Sequence, residues 1–128
     1  MKLHYIEKGT GPCRIWLHGF LGNSLNFANY ANRIPGRHLL VDARNHGRSF
    51  HHEQFDYNTM AQDVIHFMDS MKISSTALCG YSMGAKTAMT VACRIPDRIS
   101  KLVILDSMPV NYGQLITSYF RNLENYVI

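Results

Sequence analysis

The chain has 128 residues, 46% hydrophobic and 17% charged, a balance that suits one globular domain with its own core and excludes a disordered chain. Lys and Arg outnumber Asp and Glu by 13 to 9, but the excess is spread along the sequence, so no localised basic face for nucleic acid is expected. The three cysteines, Cys13, Cys79 and Cys93, show no CxxC spacing, which argues against a disulfide framework or zinc site and favours a reducing compartment.

The N-terminal stretch "MKLHYIEKGTG" lacks a signal-peptide core, because His4, Glu7 and Lys8 interrupt it. It is also poor in Arg and Ser, unlike a mitochondrial presequence. No apolar run approaches the roughly 20 residues that span a bilayer. A cytoplasmic location is expected.

Short apolar runs then alternate with helical patterns. "LHYI" at 3–6 and "CRIWLHG" at 13–19 read as strands. "NSLNFANYANRI" at 23–34 opens with cap-type residues and spaces Leu25, Ala28 and Ala31 at helical intervals. "RHLLVDAR" at 37–44 is a strand. "NTMAQDVIHFMDSM" at 58–71 puts Met60, Val64 and Met68 on one helical face, with Thr59 and Gln62 as an expected capping box. "STALCG" at 75–80 is a strand, and "SMGAKTAMTVACRI" at 82–95 is a helix that must stop near Pro96. "ISKLVILDS" at 99–107 is a further strand, apolar on both faces. This alternation predicts an α/β fold: a mostly parallel sheet with helices on both faces. The closing segment carries an amphipathic stripe of Tyr112, Leu115, Ile116, Tyr119, Phe120 and Leu123, which must be covered by the same domain or by another chain, self-association included.

Three turns carry chemistry. "GYSMG" at 80–84 lies between a strand and a helix, the setting of a nucleophile elbow, with Ser82 presented at a helix N-terminus. Glycines two residues either side leave room for that sharp turn. The bland reading is that Ser82 only caps the helix. "LHGFLGN" at 17–23 is a glycine-rich turn that can offer a backbone N–H to an oxyanion; the expected donors are Phe20 and Met83, the residue after the serine. His18 is expected to brace this loop. "DARNHGRS" at 42–49 is a third turn, which Asp42 and Arg44 would pin through charge-assisted hydrogen bonds, a structural support for the oxyanion loop. His46 is not expected to act as a base there. The "HHEQF" run at 51–55 reads as a solvated loop, because adjacent histidines chelate metal poorly. No metal and no cofactor is expected.

"HGFLGN", "VDARNHGRS", "GYSMGAKTAM" and "LVILDSMPV" together resemble the α/β-hydrolase superfamily in order and spacing, across nearly the whole chain. Within it the chain is similar to a small esterase branch that includes α/β-hydrolase domain-containing protein eleven, which implies a mitochondrial location as an alternative. It also resembles the lyase of menaquinone synthesis, which usually carries Arg where this chain has Lys86. The resemblance implies a triad in the order Ser–acid–His. Ser82 takes the first place, and Asp106, ending "LVILD", matches the acid position used by some members. The histidine is a departure: all seven, at 4, 18, 38, 46, 51, 52 and 66, precede Ser82, whereas the family delivers its base late in the chain. The resemblance therefore assigns 1–110 to the N-terminal part of the hydrolase core and 111–128 to the start of a cap helix, with the last two strands lacking. The expected activity is hydrolysis of a small-molecule carboxylic ester or related acyl compound. The competing expectation is a short, inactive hydrolase-fold protein that binds through the same pocket.

Overall fold

The computed structural model describes residues 1–107 and 126–127. Six strands form one sheet in the order β1-β3-β2-β4-β5-β6: β1 (Tyr5–Lys8), β2 (Cys13–Leu17), β3 (Arg37–Val41), β4 (Thr76–Tyr81), β5 (Ile99–Leu105) and β6 (Tyr126–Val127). Only β1 is antiparallel, pairing Tyr5 with Val41 on the sheet edge; the other pairings are parallel. The expected leading strand is present two residues later than its apolar letters suggest. The two-residue β6 comes from the segment read as the start of a cap. The rest of that segment, with the stripe over 112–123, lies outside the described residues.

The helices fall on two faces, as expected. Helices α2 (Tyr57–Ser70) and α3 (Met83–Arg94) cover the face presented by Ile15, Leu39, Leu78 and Leu102, all essentially sealed from solvent. Helix α1 (Ala28–Arg33), preceded by a 3-10 turn at Ser24–Phe27, covers the other, where Trp16, Leu40 and Cys79 are buried. Connection direction explains the division. From β2 to β3 the chain moves one way along the sheet; from β3 to β4 and from β4 to β5 it moves the other. Right-handed crossovers must then put α1 opposite α2 and α3. The reversal opens a crevice at the carboxyl ends of β2 and β4, where ligands of open α/β sheets bind.

Helix α2 starts differently from the sequence expectation. Asp56 is its N-cap, accepting from the Thr59 N–H at 2.8 Å, while the Thr59 hydroxyl accepts from the Asp56 N–H at 3.3 Å. The box is thus Asp56–Thr59 rather than Thr59–Gln62, because the aspartate one turn earlier satisfies the first free N–H groups. The 23–34 pattern likewise resolves into a 3-10 turn and a short α-helix. Asn23 caps the turn through the Leu25 N–H at 2.9 Å, and Asn26 reaches back to the Asn23 N–H at 2.8 Å. Helix α3 ends at Arg94, two residues before Pro96, where the missing proline N–H forbids continuation.

Candidate active site

The crevice between β2 and β4 is built from the turns that follow each strand. After β4 the chain turns at Ser82, whose φ of 49° and ψ of −109° leave the ordinary regions for an L-residue. The turn is possible because two glycines let backbones touch. A Cβ on Gly84 would lie 2.5 Å from the Leu17 carbonyl carbon and 2.6 Å from the His18 oxygen; one on Gly80 would lie 2.6 Å from the Ala85 Cα. Ser82 holds the N-cap position of α3, yet its side chain makes no capping bond. The bland reading of Ser82 as a helix cap therefore fails, and the residue is half-buried at the carboxyl end of β4. The Ser82 N–H is tied to the Leu105 carbonyl at 3.0 Å, which fixes the elbow to the end of β5.

Two backbone N–H groups belong to the turns after β2 and β4. Met83 is the first residue of α3, so its N–H has no intrahelical acceptor. Phe20 sits in the tight turn after β2, closed by the Gly22 N–H to the Gly19 carbonyl at 3.0 Å. Among the described residues neither the Phe20 nor the Met83 N–H has an acceptor in the protein. Gly19 lets the loop lie against the elbow: a Cβ there would be 2.8 Å from the Tyr81 ring and 3.5 Å from the Ser82 Cβ.

The 42–49 turn braces this arrangement from behind. Asp42 is sealed from solvent, and its carboxylate accepts from the Ser24 N–H at 2.6 Å, the Arg48 N–H at 3.0 Å and the His4 ring at 2.8 Å. Burial works against that charge, but the donors from Arg48, Ser24 and His4 outweigh it and hold the carboxyl below its ordinary 3.8. Arg44 makes a bidentate pair with Asp63 of α2, at 2.6 and 2.8 Å, and donates to the Gln54 carbonyl at 2.6 Å. Both residues pin their own turn, and Asp42 also ties it to Ser24 beside the oxyanion loop; Arg44 ties it to α2 and to Gln54 instead. Their partners His4 and Asp63, 38 and 19 residues away in sequence, carried no local signal.

His18 braces the oxyanion loop, as expected. Its Nδ1–H donates to the Gly19 carbonyl at 2.7 Å and its Nε2 accepts from the Ala43 N–H at 3.0 Å. Burial lowers its pKa below the ordinary 6.5, outweighing the bond to Gly19, and His46 nearby lowers it further. His38, also sealed, bonds the Ile34 carbonyl and accepts from the Trp16 indole at 3.0 Å. No hydrogen bond links any of the seven histidines to Ser82. Asp106 follows the residue that holds the Ser82 N–H; it is exposed, has a φ of 50°, and lines an open groove of about 630 Å³ together with Gly19, Phe20, Leu21, Tyr30 and Tyr81. The structure thus lays the turn after β2 against the Ser82 elbow at Gly19, with Phe20 on the open groove and Met83 on a separate small cavity lined by His18 and Gly84. Asp106 lies on the open groove, with no hydrogen-bond partner recorded among the described residues. Those residues hold no cluster of three or more His, Cys, Asp or Glu suited to a metal ion, and no helix in them is long and apolar enough to cross a membrane.

Comparison with known proteins adds kinship to this geometry. A family model described as alpha/beta hydrolase fold matches residues 15–128. A Danio rerio protein named sn-1-specific diacylglycerol lipase ABHD11 is 36% identical over 124 residues, covering 94% of this chain and 38% of its own. Its Xenopus laevis namesake is 42% identical over 109 residues, covering 82% of this chain and 35% of its own. A solved structure described as a marine microorganism esterase superposes with a TM-score of 0.83 at 33% identity, over 94% of this chain and 49% of that one. The chain spans less than half the length of these relatives. By its fold, its crevice and its sequence, the chain belongs to the alpha/beta hydrolase family.

Proposed function

We propose that the chain carries the nucleophile and oxyanion half of an ester hydrolase. Ser82 would attack the carbonyl carbon of a carboxylic ester, and the N–H groups of Phe20 and Met83 would hold the oxygen that becomes negative. The observation that carries this reading is the strained Ser82, whose hydroxyl caps nothing; the Phe20 and Met83 N–H groups, without an acceptor among the described residues, support it. Strain of this kind costs on the order of 1–3 kcal/mol and persists where the surroundings over-determine it. The kinship to proteins named as an esterase and as diacylglycerol lipases supports the substrate class. Asp106 is the proposed acid, on its place at the groove wall beside the elbow. It would orient a histidine, and no histidine of this chain bonds to Ser82.

That last observation favours one second reading, a binding protein in which Ser82 never becomes a strong nucleophile. A chimera separates the two. Residues 1–107 are joined to the remainder of the marine microorganism esterase, which supplies the late part of the fold. The hydrolase reading predicts turnover of p-nitrophenyl acetate that falls at least about a thousandfold in Ser82→Ala. A folded chimera whose turnover ignores Ser82→Ala would reject it.

A further inference from the structure

We propose that His46 is a positioning residue for the oxyanion loop: its Nε2 accepts the Leu21 N–H, fixes the Phe20–Leu21 peptide, and so holds the turn in the form that presents the adjoining Phe20 N–H. This rests on the oxyanion role given to Phe20 above. The turn Gly19–Phe20–Leu21–Gly22 has a positive φ, 64°, at Leu21 and none at Phe20, which makes it type II. That third position ordinarily belongs to glycine, because a Cβ crowds the following carbonyl there. Leucine gains nothing by packing: it is 82% exposed. Something other than the side chain must hold the turn.

The hydrogen-bond pattern identifies it. The Leu21 N–H reaches His46 Nε2 at 3.1 Å, and His46 Nδ1 lies 2.9 Å from the Arg44 carbonyl. A carbonyl only accepts, so the ring proton is on Nδ1 and Nε2 presents a lone pair to Leu21. Each nitrogen has the one role its partner allows. The ring cannot swing away: it is 8% exposed, 5.1 Å from the His18 ring, and flanked by Phe20 at 5.7 Å and Phe55 at 5.9 Å. Its backbone belongs to the 42–49 turn, which Asp42 closes at the Arg48 N–H and the Arg44–Asp63 pair anchors to α2. A continuous path therefore runs from α2 through Arg44 and His46 to the Phe20–Leu21 peptide; the Gly19–Phe20 peptide, which carries the Phe20 N–H, adjoins it and is held at its Gly19 carbonyl by His18. The His46 ring also meets the edge of Phe20 itself, so the two central residues of the turn are registered on one imidazole.

The test is nuclear magnetic resonance on the chain without substrate, comparing wild type, His46→Gln and His46→Phe. Glutamine places an acceptor oxygen near the Nε2 position; phenylalanine keeps a ring and removes the acceptor. In wild type the expected result is a protonated Nδ1 and a bare Nε2 on His46, and a Leu21 amide protected from exchange despite its exposed side chain. In His46→Phe the Leu21 amide exchanges at least about fivefold faster, the scale of one net hydrogen bond, and the Phe20 N–H residual dipolar coupling changes. His46→Gln restores both. Three results would overturn the proposal: a proton on Nε2 in wild type, an unchanged Leu21 exchange rate in His46→Phe, or an unmoved Phe20 coupling there. The tautomer is read in wild type, so a variant that fails to fold leaves that test standing. None of these readouts uses an ester, so failure of the chimera assay and failure of this proposal remain separate.

Discussion

Replacing Gly84 with alanine isolates what the elbow asks of its packing. Gly84 is the second residue of α3, and helix propensity alone predicts that Gly84→Ala stabilises by up to about 1 kcal/mol. The packing predicts the reverse. The new Cβ would sit 2.5 Å from the Leu17 carbonyl carbon and 2.6 Å from the His18 oxygen, where real Cβ atoms stay beyond 3.0 Å. Both neighbours are backbone atoms at the end of β2, so no rotamer change relieves the overlap. Helix α3 must lift by about half an ångström or more, at a cost of about 1–3 kcal/mol beyond the propensity gain. For a domain of this size that is a fall in Tm of about 4–12 °C, read by circular dichroism. Lys86→Ala, half-buried on the same helix, serves as control and should stay within about 0.5 kcal/mol. The same lift separates the Met83 and Phe20 donors, so the Ser82-dependent rate of the chimera should fall about a hundredfold. A Gly84→Ala chain as stable as wild type, or more stable, would refute the close approach of α3 and β2.

Three further expectations follow from the bracing residues. The Arg44 and Asp63 side chains are only 7% and 12% exposed, so Arg44→Met, which strands the carboxylate, should cost about 3–5 kcal/mol in urea unfolding, while adding Asp63→Leu should recover most of it; additive losses would contradict the pairing. Stability should also fall in acid in two windows. His18 has a lowered pKa in the folded chain, so its contribution is full above the unfolded value of 6.5 and is lost as pH drops below it. Asp42, depressed below 3.8, loses its contribution only below that value. A stability that rises from pH 7 to pH 5 would contradict the first, and an Asp42→Asn chain with an unchanged profile below pH 4 the second. Finally, burial pushes the Cys79 thiol up to about 12, so at pH 8 a thiol reagent should modify Cys79 only on unfolding; reaction as fast as at half-buried Cys13 would contradict its place under α1.

The site was legible in sequence where its determinants are local. Ser82 and its two glycines, the strand before them and the helix after them occupy one unbroken run, Thr76 to Arg94, and the glycines and serine have a steric meaning at that spacing. The turn after β2 was legible for the same reason. What the letters concealed was reached through space. His18 and His46 each face a partner 25 residues away, at Ala43 and Leu21, and a histidine bonded on both nitrogens reads in sequence like any other. The positive φ of Leu21 was equally hidden, since leucine is not a residue that announces such a turn. The cap of α2 was misplaced because Thr59 suits either role in a box, and only the backbone shows that Asp56 already holds the first turn. The place of Asp106 was inferred from family order, and the groove it lines became visible only when β5 was laid beside β4.

The central claim is that Ser82 is a prepared nucleophile with no base among the seven histidines that precede it. Its most direct test is p-nitrophenyl acetate hydrolysis by the 128-residue chain and its Ser82→Ala variant. The account predicts equal, near-background rates for the two. A robust turnover abolished by Ser82→Ala would contradict it, because one of those histidines would then be serving as the base.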